Sequence, residues 1–113
     1  MITTRDAASG PVVEVTGDLD HATAPQLRGQ LAALTIQPGQ RLVLDLGGLE
    51  FMDSSGISAL IVARTLAHAA QAGIALAAVP ANALRVLRIV GLDELFTLQP
   101  DADTVTASDG PEG

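Results

Sequence analysis

Between residues 51 and 57 the chain reads Phe-Met-Asp-Ser-Ser-Gly-Ile, an apolar run that breaks into Asp53-Ser54-Ser55-Gly56 and opens an amphipathic helix. Before it, residues 41–46 (RLVLDL) have the form of a buried strand, and Gly47-Gly48 with residues 49–52 read as a connector. Strand and helix alternate on both sides of this turn, which is the sequence form of right-handed crossovers and a largely parallel sheet. The turn also sets two hydroxyls and a carboxylate at a helix N-terminus. Unpaired backbone N–H groups and the positive end of the helix dipole favour negative charge there. A serine in that place can cap the helix, or it can receive a phosphate that the fold tolerates.

Around this turn the other elements fall into place. Residues 3–8 form a weak, polar candidate edge strand, and Gly10-Pro11 leads into a stronger strand at 12–15 that Gly17 ends. Over residues 23–34, Ala24, Leu27, Leu31 and Leu34 recur at helical spacing, with Pro25 tolerable in a first turn. A second helix is predicted over 55–72, a strand over 74–79, a third helix over 82–90 and a short last strand over 96–98. In the third helix Leu84, Leu87 and Val90 are expected inward and Arg85 and Arg88 outward, with Gly91 as left-handed terminator. Residues 101–113 are acidic and contain Gly and Pro, so they are expected to fray.

At 113 residues the chain is expected to be one domain. Its aliphatic content supplies the core, because Phe51 and Phe96 are its only aromatics. They offer no platform for stacking bases, and a net charge of −7 argues against binding nucleic acid, which needs clustered Lys and Arg. That acidity suits a basic protein partner. Without cysteine there is no disulfide, thiolate nucleophile or zinc–thiolate site. No signal peptide or membrane-length apolar run is evident, and a cytoplasmic protein with no membrane association is expected.

Few residues could carry chemistry. On the second helix Ala59, Val62, Ala63, Leu66 and Ala70 share a face assigned to the core, and Arg64, Thr65, His68 and Gln71 lie opposite. Ile57 and Ile61 fall on that polar side below Ser54, either as a docking strip or as an apolar patch that a loop covers. The Gly17-Asp18-Leu19-Asp20-His21 segment reads as a loop at the same end of the sheet, where Asp20 with Thr23 can cap the first helix. Asp18, Asp20, Asp45, Asp53 and His21 lack calcium-type spacing, so no metal is expected. Nucleophilic catalysis by Ser54 would need a base, yet no Gly-x-Ser-x-Gly elbow is present. His68 stands on the order of 20 Å along the helix, and His21, the other candidate base, reads as an isolated surface residue of a loop. Ser54 therefore reads as a substrate rather than a catalyst, and no catalytic residue or cofactor is expected. Non-covalent phosphate binding at Ser54-Ser55-Gly56 has weak support, since no glycine-rich loop with Lys accompanies it.

Several stretches form one pattern: Val15-Thr16-Gly17-Asp18-Leu19-Asp20 with Thr23, Ala24 and Pro25; Leu42 to Leu46; Phe51 to Gly56; and Val90-Gly91-Leu92 before Phe96. Together, over about residues 12–98, they resemble the STAS domain (sulphate transporter and anti-sigma factor antagonist), in particular the stand-alone bacterial anti-anti-sigma factors. The resemblance implies a four- to five-stranded mixed, largely parallel sheet with helices packed on one side. It implies phosphorylation at the first Ser of the Asp-Ser-Ser-Gly turn, here Ser54. It also implies an anti-sigma factor partner, a serine kinase of the histidine-kinase-like ATPase type, bound when Ser54 is unmodified, and a metal-dependent serine phosphatase that restores binding. Asp53 is expected to orient the turn and Gly56 to let the partner approach. Asp18, Asp20, Ser55, Ile57 and Ile61 are expected to contribute to the binding surface. Some relatives serve instead in lipid-transport or stress-signalling complexes, which is the alternative within the family. The chain departs from the family in carrying Ser58, expected toward the flank of the helix, where a small Gly is usual soon after the turn.

Overall fold

Five strands and three α-helices follow one another in the computed structural model, which describes residues 1–102. Beyond residue 102 the tail expected to fray lies outside the described residues. β1 (Ile2–Ala7) pairs antiparallel with β2 (Gly10–Leu19) through a tight turn. From there the chain advances by crossovers: α1 (Ala24–Ala32), β3 (Arg41–Met52), α2 (Ser54–Ala69), β4 (Gly73–Ala77), α3 (Ala81–Ile89), a 3₁₀ turn at Asp93–Leu95 and β5 (Thr97–Gln99). β2 through β5 are mutually parallel, and the strands lie in chain order across the sheet. The expected mixed, largely parallel sheet is the one observed.

Alternation along the strands sends one set of side chains to each face. Val13, Val15, Leu42, Leu44, Leu46, Ile74 and Leu76 join a core that also takes Leu27 and Leu31 of α1, Leu60 of α2 and Leu87 of α3. All three helices therefore pack on one face. Val12, Val43, Ala75 and Ala77 form a smaller cluster on the other face.

Two strands run further than their sequence suggests. Gly17 does not end β2, and residues 49–52 are strand rather than connector. The β2–β3 ladder continues as Thr16↔Gly48, Gly17↔Leu49, Asp18↔Phe51 and Leu19↔Met52, with irregularities on either side of Thr16–Gly17. Glycine serves the pairing here. A Cβ on Gly48 would come within 2.6 Å of the Thr16 side chain, so the partner strand fills the space a side chain would need. Gly17, at φ +80°, takes up the irregularity in a conformation that costs other residues more.

Helix boundaries shift by one to three residues, and two core faces turn. In α2 the buried set is Gly56, Ala59, Leu60, Ala63 and Ala67, whereas Val62 and Leu66 are only half-buried. The expected face was rotated toward the bulkier side chains. Small residues in fact bring α2 close to the sheet, while Leu66 and Ala70 line a cavity with Leu31, Leu34 and Ile36 beside the end of α1. Ser58 accordingly points outward and is exposed, not on the flank. In α3, Ala83 and Leu87 are buried, Leu84 is half-buried and Val90 is 51% exposed, because the helix ends before Val90 could turn inward. Gly91 does terminate it at φ +77°. β4 ends two residues early because Ala78 adopts φ +54°, which leaves strand geometry.

Candidate functional site

The parallel strands β2 and β3 end side by side, and this places the two sequence motifs together. Leu19 and Met52 are register partners, and the backbone N–H of Asp53 donates to the Leu19 carbonyl at 3.2 Å. Asp18 and Asp20 therefore leave β2 beside the turn from which α2 rises.

Asp53 is the cap of α2. Its backbone is extended (φ −108°, ψ −168°), and its Oδ1 accepts from the N–H groups of Ser55 at 2.8 Å and Gly56 at 3.2 Å. That satisfies two donors at the helix start. Ser54 is the first helical residue, and it is exposed. Its hydroxyl has no hydrogen bond among the described residues, so it is neither the cap nor part of the scaffold. Ser55 is half-buried one residue on.

Gly56 has a different role from the one expected. It is buried, and a Cβ there would lie 2.6 Å from the Leu19 carbonyl oxygen and 2.6 Å from Met52 Cγ. The close approach that demands glycine is made by the chain's own β2 and β3, not by a partner. The first turn of α2 is thereby pressed onto the strand ends.

On the β2 side a compact turn fixes Asp18 and Asp20, though not as a helix cap. Asp20 Oδ1 accepts from the N–H groups of Ala22 at 2.9 Å and Thr23 at 3.1 Å, both ahead of α1. Thr23 Oγ1 accepts from the Asp20 N–H at 2.9 Å and donates to the Asp18 carbonyl at 2.9 Å. Thr23 stands at the cap position but makes no side-chain bond into α1. The N–H of Ala22 above all, with the N–H and hydroxyl of Thr23 and the nearby His21, holds the Asp20 carboxyl below the usual carboxylate range against a smaller opposing effect of desolvation. Asp18 makes no such bonds with its carboxylate and is exposed.

Ile61 is 39% exposed and Ile57 half-buried, so the helical strip is partly open. Phe51 entered the sequence reading as part of the motif but not as a residue of the surface. It is 53% exposed and directly opposite Asp18 in the ladder, on the face away from the helices. A strand reading of residues 49–52 would have revealed the pairing, but the irregularity at Gly17 hides the face on which Phe51 emerges. His21 and His68 are exposed, with His68 near the far end of α2. Among the described residues no group of three His, Asp or Glu side chains converges as a metal site. None of the described helices is long and apolar enough to cross a membrane. What the site offers is a rim of carboxylates, one free hydroxyl and a few open apolar side chains on a rigid base.

Comparison with known proteins bears on what such a rim serves. The STAS_2 family, described as "Mlab, STAS domain", matches residues 2–100. Over 93 residues the chain is 32% identical to the anti-sigma F factor antagonist of Paenibacillus polymyxa, covering 81% of this chain and 77% of that protein. An anti-sigma factor antagonist from Mycobacterium paratuberculosis matches in structure with a TM-score of 0.73 at 26% identity, across 91% of this chain and 87% of the other. The Bacillus anti-sigma factor antagonist SpoIIAA in its unphosphorylated form gives 0.67 at 20% identity over 100% of this chain and 99% of its own, a likeness of fold. The phosphorylated form of SpoIIAA shares that fold as well, with a TM-score of 0.66 at 20% identity over 87% of this chain and 90% of its own.

Proposed function

Since this chain belongs to the STAS-domain family, we propose that it is an anti-sigma factor antagonist acting by binding rather than catalysis. Unmodified, it binds an anti-sigma factor of the serine-kinase, histidine-kinase-like ATPase type in the cytoplasm. Phosphorylation of Ser54 by that partner ends the association, and a metal-dependent serine phosphatase restores it. The observation that carries this reading is the Ser54 hydroxyl, exposed and unbonded at the first position of α2.

Local chemistry supports a switch confined to the surface. A phosphoserine adds about −1.5 to −2 charges at neutral pH. The helix dipole favours that charge by about 0.3–1 kcal/mol at an exposed N-terminus. Asp53, however, already occupies the N–H groups of Ser55 and Gly56. A phosphate on Ser54 can take neither donor without displacing the cap. It stays at the rim beside Asp53, screened by solvent over about 8–10 Å. Favourable and unfavourable effects nearly cancel within the free domain. In a complex the same group must be desolvated beside Asp18, Asp20 and Asp53, and binding fails there. That the phosphorylated form of SpoIIAA keeps the fold accords with this.

The test is to incubate the chain with the kinase and ATP and map the phosphopeptide. Phosphate is expected on Ser54, with Ser54→Ala abolishing it while keeping partner binding, and Ser54→Asp losing binding with unchanged circular dichroism. Phosphate on Ser55 alone, or a large fall in melting temperature on phosphorylation, would refute the scheme.

A further inference from the structure

The far end of α3 presents an unusual surface for so acidic a chain. Ala83 and Leu87 face the core, so Arg85 and Ile89 point away from it, with Arg88 on the same outer side. Ile89 is 76% exposed and Val90 51%. The chain then reverses at Gly91 (φ +77°) into the 3₁₀ turn, which adds Glu94 and Leu95, the latter 40% exposed. Arg85, Arg88 and Glu94 form no ion pair among the described residues. Two copies carrying −7 each repel over most of their surface. This end of the molecule joins basic side chains to the two acidic groups of the 3₁₀ turn: α3 brings Arg85 and Arg88, and Arg64 of α2 donates from Nε to the Leu95 carbonyl at 3.2 Å, so repulsion between copies is reduced and both charges accompany the apolar side chains.

We propose that this surface binds a second copy of the same chain through a two-fold interface. Arg88 of one protomer faces Glu94 of its partner and the reverse, around a centre of Ile89 and Val90. Such an interface must be self-complementary, with each residue i meeting j and each j meeting i, and a patch holding both charges beside apolar side chains satisfies this. A helix end and one turn offer less than the roughly 800 Å² per partner of a stable complex, so the dimer is weak and concentration-dependent. α3 starts at the strand ends beside which α2 starts, and it runs the same way back along the sheet. Ile89 therefore lies at the opposite end of the molecule from Ser54. Pairing leaves both Ser54 rims free and yields a bivalent antagonist, for which a clustered partner gains avidity.

Sedimentation velocity on the full chain, from about 10 µM to about 1 mM, tests the proposal in the range where weak interfaces operate. The sedimentation coefficient of the wild type is expected to rise toward that of a dimer. Ile89→Asp should weaken association by at least about tenfold, and the exposure of Ile89 means its circular dichroism should not change. Arg88→Glu and Glu94→Arg should each weaken it by a few-fold, roughly, and the double exchange should restore it. A wild type that stays monomeric throughout would overturn the proposal. So would a dimer indifferent to Ile89→Asp, or a double exchange no better than either single change. None of these readings involves Ser54 or the kinase.

Discussion

Replacing Gly56 by alanine sets two effects of known sign against each other. Alanine is the better helix former by about 0.8–1 kcal/mol in a helix interior, so propensity alone predicts a gain. Against it, the new methyl would sit 2.6 Å from the Leu19 carbonyl oxygen and 2.6 Å from Met52 Cγ, with Leu19 Cγ at 3.0 Å. Met52 is flexible enough to move aside. The carbonyl is not, because it belongs to the β2 backbone and accepts the Asp53 N–H. Overpacking of this kind costs typically 1–3 kcal/mol, and contact with fixed backbone belongs in the upper half of that range. The net expectation is a loss of about 1–2 kcal/mol, or a melting temperature lower by roughly 4–16 °C for a domain of this size. Urea titration would measure it, with the slope unchanged if the folded state stays compact. Relief of the clash must lift the first turn of α2 from β2 and loosen the Leu19–Asp53 bond. Kinase affinity and Ser54 phosphorylation should therefore fall together under conditions where the variant is still folded. A Gly56→Ala protein as stable as the wild type would refute the packing argument. A destabilised one with unchanged phosphorylation would refute the link from packing to the site.

Two further outcomes follow from the corrected geometry. Ile61→Asp, on the open side of α2, should keep the fold and lose partner affinity, whereas Leu60→Asp, fully buried one residue earlier, should unfold the domain at a cost of several kcal/mol, roughly; normal binding by Ile61→Asp would remove that side of α2 from the interface. The lowered Asp20 carboxyl gives stability that is fully present above its unfolded value of about 3.9 and is lost as pH falls through its lower folded value. Asp20→Asn keeps an acceptor oxygen but cannot titrate, so its deficit in melting temperature should be constant near neutrality and shrink below about pH 4; a deficit unchanged down to about pH 2 would show that the charge contributes nothing.

Sequence alone determined the order of elements, the family and the capped turn on which the candidate site is built. The Asp53-Ser54-Ser55-Gly56 turn was legible because caps are local: a short polar side chain, an extended backbone and the donors it meets all lie within three residues. Strand–helix alternation likewise required the parallel sheet, and side-chain period assigned Leu27, Leu31 and Leu87 to the core. Tertiary structure decided what depends on a neighbour. Gly17 and Gly48 read as breaks in isolation and are strand residues because β2 and β3 pair through them. Gly56 read as an opening for a partner and is closed by Leu19 and Met52. Leu60, rather than Val62, faces the sheet because a stripe of small residues draws α2 down onto it while α1 occupies its flank. The exposure of Phe51 opposite Asp18 depends on a register that no single strand contains. Periodicity records which side chains avoid water, but two surfaces must meet before the distance between them, and so the room for one methyl group, is set.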